Sequence, residues 1–289
     1  MRDETREMKS ISYIAARSGI SYLFVKAVTA FACALLFMSH PSYLIPPVCA
    51  SFEDTGTGAR ATGMGGAFTP LADDIHALYY NPAGLVYLKR KELSATYGIL
   101  NTGLADKSKL SSSYVAYGHP LKPEIGTVGF SWQQLNLEGL YEERAIMLGY
   151  GRRMSQKWAF GMDLKHLYRD FSAPSGQTYN FGTQDTSKSD PLFASGDSAS
   201  AIAVDFGVLF RPYRNYSYGL TIQNMNEPNL AIAATDRDPQ LMTIRTGIAY
   251  NERTLTLVGE IDSKRSPGGL NRDYFATVAA EKWWLGAGF

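Results

Sequence analysis

The side chains best suited to catalysis or metal binding are scattered along this 289-residue sequence. His76, His119 and His166 lie far apart, and an isolated histidine is more often a packing or surface residue than a ligand or a base. The sequence contains no zinc-protease, P-loop or Gly-x-Ser-x-Gly pattern. We therefore predict no catalytic residue, no metal site and no cofactor. An esterase whose serine and histidine meet only in the folded chain stays open as an alternative.

Two binding functions can be set aside from the sequence. Residues 56–61 match a Gly-x-Gly-x-x-Ala dinucleotide fingerprint, but no strand precedes them and no βαβ unit follows, so we reject this interpretation. Lys and Arg number 28 against 27 Asp and Glu, and there is no long basic run. Nucleic-acid binding that depends on neutralising phosphates is therefore not expected.

Six charged residues share one pattern. Each occupies a polar position inside a segment where large apolar residues alternate with small or polar ones, which is typical of a β-strand with two different faces. The six residues are Asp163, Lys165, Asp205, Arg245, Glu260 and Asp262. We predict that they face the lumen of a barrel.

Segments with this alternation fill the chain from about residue 91 onward. Four are strong, at 158–165, 201–210, 216–223 and 242–250. Six are weaker, at 92–100, 112–119, 125–135, 143–151, 254–262 and 273–281. Together they predict an all-β fold. A soluble sandwich would produce the same alternation, so both a sandwich and a barrel agree with it.

The lengths of the connections favour an antiparallel transmembrane β-barrel. Short connections near 119–123, 152–156, 212–215 and 251–253 alternate with longer ones at 101–110, 171–199, 226–239 and 263–271, and with a shorter one near 136–140. Short turns at one end and long loops at the other are typical of outer-membrane barrels, whose closure leaves no unpaired edge in lipid. Glycine and alanine on the polar face, and aromatic residues near the strand ends, agree with this prediction.

The first fifty residues resemble a secretory signal peptide. An apolar run at 27–38 follows Lys26, and Val48 and Ala50 suit the positions before a cleavage site. We predict cleavage after Ala50 and export to the bacterial outer membrane; an N-terminal membrane anchor is the alternative. Cys33 and Cys49 both lie in this segment, so the mature chain is predicted to contain no disulfide.

The most specific pattern runs from Gly58 to Leu85. It combines a glycine-rich part, an Ala-Asp-Asp step and an Asn-Pro-Ala-Gly-Leu element. The residues concerned are Gly58, Gly63, Gly65, Gly66, Asp73, Asp74, Asn81, Pro82, Ala83 and Gly84. The pattern closely resembles the start of outer-membrane barrels of the FadL (long-chain fatty-acid transporter) superfamily, and most of all its PorV/PorQ branch.

The same residues predict a short helix that plugs the barrel. Asp73 and Asp74 would cap the N-terminus of a helix, which Asn81-Pro82 and a left-handed Gly84 would end. The glycines at 58, 63, 65 and 66 would let the backbone pack closely against the inner wall. We therefore divide the chain into a signal peptide at 1–50, a plug segment at 51–90 and a β-barrel at 91–289.

The resemblance implies fourteen strands, whereas the sequence predicts about eleven, including 283–289 after a turn at 281–282. Either the C-terminus is truncated, which we favour, or the barrel is a smaller one of about ten to twelve strands. The resemblance implies transport of hydrophobic compounds across the outer membrane. Its PorV-like branch implies instead a partner or shuttle in protein secretion. Outer-membrane lipid, a hydrophobic ligand and a secretion-machinery protein are thus the expected partners.

Overall fold

The alternating segments form ten β-strands in a computed structural model of the protein. The structure describes residues 52, 54–101, 109–138, 140–171, 196–232, 236–252, 255–265 and 272–282. The strands are β1 (Glu92–Asn101), β2 (Leu110–Pro120), β3 (Thr127–Leu137), β4 (Tyr141–Arg153), β5 (Trp158–Phe171), β6 (Ser198–Tyr213), β7 (Tyr216–Gln223), β8 (Thr243–Glu252), β9 (Leu255–Arg265) and β10 (Arg272–Lys282). The predicted signal peptide and the predicted eleventh strand lie outside the described residues.

All ten strands belong to one sheet in the order β1 to β10, and every neighbouring pair is antiparallel. A sandwich would need two facing sheets, so this topology confirms the barrel-like arrangement over the sandwich. Among the described residues the sheet is not closed, because β1 and β10 each pair on one side only. Closure of a complete barrel therefore stays a prediction.

The two faces of the sheet differ sharply. On the outer face, large apolar side chains are exposed, among them Leu148 on β4, Met162 and Leu164 on β5 and Ile202 on β6. On the inner face, charged side chains are buried. This is the reverse of the usual distribution in a water-soluble domain, where charged residues are mostly exposed.

A segment that we call the plug, residues 54–88, packs against the inner face. It contains α1 (Ala59–Gly63), α2 (Ala77–Tyr80) and a 3₁₀ helix (Pro82–Tyr87). Its core is apolar and fully buried, with Phe68, Leu78 and Leu85 all below 2% exposure. The plug reaches Ser94 on β1 through His76 and Glu260 on β9 through Thr69, so the sheet curves around it.

The plug differs in detail from the predicted helix. Asp73 does not cap α2, whereas Asp74 Oδ1 accepts a hydrogen bond at 2.9 Å from the backbone N–H of His76, the N-cap residue of α2, whose own side chain makes no capping hydrogen bond. Asp73 instead forms an ion pair with Arg60, with 2.5 Å between Oδ1 and Nη1. Helix α2 ends at Tyr80, directly before Asn81-Pro82, as predicted. Pro82 is then the first residue of the 3₁₀ helix, and the Asn81 side chain caps that helix by accepting a hydrogen bond from Ala83 N.

No helix among the described residues is long and apolar enough to span a membrane.

Candidate functional site

The plug docks on a row of glycines that crosses the sheet. We call this row the glycine belt: Gly118 (β2), Gly129 (β3), Gly149 and Gly151 (β4), Gly161 (β5), Gly207 (β6), Gly219 (β7) and Gly247 (β8). Its members are direct cross-strand partners at several points, as in Gly118–Gly129, Gly129–Gly149, Gly151–Gly161, Gly161–Gly207 and Gly219–Gly247. The glycine belt is thus continuous over most of the sheet.

Side chains in the glycine belt would collide with the plug. A Cβ atom on Gly161 would lie 2.2 Å from the Pro82 carbonyl carbon and 2.3 Å from Ala83 N. A Cβ atom on Gly207 would lie 2.2 Å from Asn81 Oδ1. Such distances are far below van der Waals contact, so only glycine lets the backbone of the plug approach the strands this closely.

This arrangement corrects the expected role of the plug glycines. An added Cβ on Gly63 or Gly66 would meet no atom within 4 Å, so these two do not create the close contact with the wall. Gly65 lies near the wall, since its Cβ would be 3.1 Å from Thr277 Cγ2. Gly58 has a φ of +77° and faces the His76 ring inside the plug.

Gly84 also has a different role from the predicted left-handed cap. Gly84 is not one of the described glycines that have a positive φ. A Cβ atom there would lie 1.8 Å from the Ala72 carbonyl oxygen. Gly84 is therefore needed for the packing of two parts of the plug against each other.

Asn81 joins the plug to the wall through its side-chain amide. Its Nδ2 donates to Thr69 O at 3.0 Å and to Val208 O on β6 at 3.2 Å, and its Oδ1 accepts from Ala83 N at 3.1 Å. The residue is completely buried. Because a buried polar group needs partners, one side chain here fixes two turns of the plug and one strand.

The loop of the plug around Thr69 is held by side chains of three strands, β6, β7 and β9. Glu260 on β9 accepts hydrogen bonds from Thr69 N and Thr69 Oγ1, both at 2.9 Å. Ser217 donates to Pro70 O at 2.5 Å, and Arg211 Nη2 donates to Leu71 O at 2.7 Å. These contacts satisfy the backbone of a loop that is buried away from water.

Asp54 forms a further link near the start of the plug. Its carboxylate pairs with the Arg245 guanidinium on β8 and accepts hydrogen bonds from Tyr79 OH at 2.5 Å and Gly56 N at 2.9 Å. Burial opposes ionisation, but the Arg245 charge and these hydrogen bonds outweigh it and lower the pKa of Asp54 below 3.8. Since 42% of the Asp54 side chain is exposed, solvent weakens the pair.

The buried phenols of the plug remain protonated at neutral pH. Burial raises the pKa of Tyr80 to about 12, with the nearby Asp54 charge adding to it and the hydrogen bond with Thr57 opposing it. Burial likewise raises the pKa of Tyr79 well above its ordinary value. Both hydroxyls therefore keep the donor hydrogen that they use, Tyr79 to Asp54 and Tyr80 to Thr57 O.

The lowered pKa of Asp54 predicts a pH dependence. A carboxyl group whose pKa falls on folding stabilises the folded state above its unfolded pKa, and this contribution disappears as pH falls through the folded pKa. We expect wild type to have a higher urea midpoint than Asp54→Asn from pH 7 down to about pH 4, where an ordinary Asp side chain titrates. Below that range the difference should shrink. A difference that grows on acidification would contradict this assignment.

Beyond the plug, toward the long loops, the inner face encloses a cavity of about 390 Å³. Its apolar lining consists of Phe52, Leu135, Ala145, Met147 and Leu167. Its polar lining consists of Asp54, Thr55, Tyr79, Gln133, Glu143, Lys165, Asp205, Gln223, Asn224, Gln240, Thr243, Arg245, Asp262 and Lys264. A compact molecule with an apolar body and a polar group suits such a mixed lining.

The charges along the cavity wall largely neutralise one another. Lys165 Nζ lies 2.9 Å from Asp205 Oδ2 and donates to Asn224 Oδ1 at 2.7 Å. Asn224 N in turn donates to Asp205 Oδ1 at 2.8 Å. The network ties β5 and β6 to the residue that follows β7.

The structure brings the predicted lumen-facing residues to the inner face and divides them into two groups. Lys165, Asp205, Arg245 and Asp262 line the cavity. Glu260 binds the plug, and Asp163 is buried beside the glycine belt, where its Oδ1 would lie 2.3 Å from a Cβ on Gly149. Sequence reasoning missed the glycine belt and the residues Asp54, Thr69 and Tyr79. A glycine on the polar face of each strand from β2 to β8 was the available signal.

Comparison with solved structures shows a similarity in fold to a hydrocarbon channel. The structure matches a TodX deltaS2S3 mutant monoaromatic hydrocarbon channel with a TM-score of 0.50 and 12% identity, over 80% of this chain and 77% of that one. It also matches the Pseudomonas putida toluene transporter TodX, with a TM-score of 0.48 and 11% identity over 82% and 78% of the two chains. A Pseudomonas aeruginosa FadL homologue gives 0.46 and 11%, over 78% and 75%.

Two other comparisons add little about function. Residues 141–262, from β4 into β9, match the family described as F plasmid transfer operon, TraF, protein. No curated protein matches the sequence. None of these matches points to the PorV/PorQ branch, so that assignment stays a prediction.

Proposed function

We propose that this protein resides in the outer membrane and admits small hydrophobic compounds through the inner side of its sheet. The proposal rests on one observation: the sheet has an apolar outer face and a charged inner face, and the inner face holds both a plug and a cavity. The similarity in fold to the TodX deltaS2S3 mutant monoaromatic hydrocarbon channel supports the same function.

The outer face supports a location in lipid. Leu148 is 57% exposed, and Met162 and Ile202 are each 54% exposed. These residues lie on the neighbouring strands β4, β5 and β6, so they form one apolar surface. In water such a surface would favour aggregation, whereas an outer-membrane barrel presents an apolar band of this kind to the bilayer.

The positions of the cavity and the plug on the inner face support a ligand path that the plug controls. The plug packs against strand positions near the short turns, and the cavity-lining residues lie nearer the long connections. A ligand that enters from the long loops would therefore reach the cavity before it reaches the plug. Passage further along the inner face requires movement of the plug or an opening in the wall.

The proposal predicts that filling the cavity stops uptake. Ala145 lies on the inner face of β4 and lines the cavity, so Ala145→Trp would occupy much of it. We expect uptake of radiolabelled toluene, by bacterial cells that lack their own hydrocarbon channel, to fall close to that of cells without the protein. Ile146→Trp is the matched control, because this neighbouring residue points outward and is 39% exposed.

The shift in gel mobility on boiling shows whether each variant is folded. Equal uptake by folded Ala145→Trp and wild type would overturn the route through the cavity. If wild type gives no uptake above background but co-purifies with secreted proteins, the PorV-like role as a secretion partner replaces transport. That role rests on the motif at 58–85, and no contact among the described residues favours it over transport.

A further inference from the structure

The connection between β7 and β8 folds back over the cavity. We call residues 224–242 the β7–β8 loop; the structure describes all of them except 233–235. The loop is a small hairpin in which Leu230 N donates to Asp238 O at 2.9 Å and Gln240 N donates to Pro228 O at 2.8 Å. Asn224 and Glu227 adopt positive φ values of 53° and 41° and turn the chain at its start.

The loop inserts Leu230 into an apolar cluster on the inner face. Leu230 is 1% exposed and belongs to a cluster with Ala145, Met147, Leu167 and Ala203. Ala145, Met147 and Leu167 also line the cavity. A side chain of the loop therefore packs in the same apolar cluster as three residues that line the cavity.

A partly buried ion pair holds the loop in this position. Arg169 at the end of β5 lies 2.5 Å from Asp238 Oδ2, and its side chain is 7% exposed. Asp238 is also the residue whose carbonyl oxygen accepts from Leu230 N. The contact between Arg169 and Asp238 thus fixes the part of the loop that positions Leu230.

We infer that Leu230 occupies the ligand's own apolar subsite, and that a ligand binds by displacing it as the β7–β8 loop swings outward. This inference rests on the proposed function and adds to it the position of the ligand, the residue that competes for that position and the class of ligand. The subsite takes a compact aliphatic or aromatic group. The polar residues beside this subsite determine which polar group the ligand can carry.

The polar wall selects an uncharged ligand with a hydrogen-bond donor. Lys165 is paired with Asp205, Arg245 is paired with Asp54, and Lys264 also has a partner, so none of the three described cations that line the cavity is free to bind a carboxylate. Asp262 Oδ1 is buried and has no hydrogen-bond partner in the described part of the chain. It would accept a hydrogen bond from a hydroxyl group and repel an anion. An aromatic or branched alcohol fits these groups better than its carboxylate.

The test measures binding of 2-naphthylmethanol and 2-naphthoate to the protein in nanodiscs by equilibrium dialysis, with empty nanodiscs subtracted. We expect wild type to bind the alcohol and to bind the carboxylate at least about tenfold more weakly. Leu230→Ala should bind the alcohol about tenfold more tightly than wild type, since the ligand no longer displaces two or so buried methyl or methylene groups. Asp238→Asn should change the affinity in the same direction, because it releases the loop.

Leu241→Ala is the matched control, because Leu241 is a buried leucine of the same loop outside the Leu230 cluster. Its affinity for the alcohol should equal that of wild type. Unchanged or weaker binding by folded Leu230→Ala and Asp238→Asn, with wild type still binding, overturns the inference and leaves the proposed function intact. Equal binding of alcohol and carboxylate overturns the ligand class. Absence of binding to all folded variants overturns the inference together with the proposed route.

Discussion

Replacing Gly161 by alanine is expected to displace the plug from the sheet and to destabilise the protein by about 3 kcal/mol, at the upper end for an overpacked core. The new methyl group would lie 2.2 Å from the Pro82 carbonyl carbon and 2.3 Å from Ala83 N. Both are backbone atoms, so no side-chain rotation relieves the collision. The measurements are the urea midpoint in detergent and the rate of tryptic cleavage after Arg60.

Cleavage after Arg60 reports on docking, because Arg60 is paired with Asp73 in the docked plug. Gly259→Ala is the matched control: Gly259 is also a strand glycine, but an added Cβ there would meet nothing within 4 Å. We expect this control to keep the wild-type midpoint and cleavage rate. If Gly161→Ala behaves like Gly259→Ala, the glycine belt is not the docking surface of the plug.

The second large effect is expected for Asn81→Ala. The substitution removes the donor to Thr69 O and Val208 O and the acceptor of Ala83 N, all in a fully buried place. Each buried group left without a partner costs about 1–3 kcal/mol, so we expect a loss of about 3 kcal/mol or more. The urea midpoint should fall, and cleavage after Arg60 should accelerate as it does in Gly161→Ala.

Asn136→Ala provides the comparison for Asn81→Ala. Asn136 lies on β3 and is only partly buried, and no described hydrogen bond involves its side chain. A change within about 0.5 kcal/mol is expected there, as for surface substitutions in general. A similarly small change for Asn81→Ala would show that Asn81 does not join the plug to the wall.

Most of the sheet could be predicted because alternation is a local signal. In β5, Trp158, Met162 and Leu164 occupy outward positions, and Asp163 and Lys165 lie between and beside them on the inner face. Each strand shows this pattern within about ten residues, and the turn lengths then fix the antiparallel order. The prediction placed all ten described strands without any information on contacts.

Most of the plug and the cavity could not be predicted, because their contacts join distant parts of the chain. Thr69 meets Glu260, and Asp54 meets Arg245, both across 191 residues. Nothing near Thr69 in the sequence distinguishes its partner from the other carboxylates. The role of the glycine belt escaped prediction for a related reason: a single glycine weakens a strand locally, and only the register shows that these glycines lie side by side.

The β7–β8 loop shows a second limit of sequence reasoning. The sequence predicts only a longer connection at 226–239. The structure instead buries Leu230 at the cavity and pairs Asp238 with Arg169. An inward fold of this kind depends on an apolar surface on distant strands that the loop can cover. The sequence of the loop itself contains no information about that surface.

The most direct test of the proposed membrane location compares two neighbouring positions on β4. Spin labels are attached to Leu148→Cys, which points outward, and to Met147→Cys, which points inward, after Cys33 and Cys49 are replaced. In lipid vesicles we expect the label at 148 to relax with dissolved oxygen and to be protected from a water-soluble nickel chelate. The label at 147 should show no such preference for oxygen. A label at 148 that the nickel chelate reaches freely would show that the apolar face does not contact lipid, and would contradict the proposed outer-membrane channel.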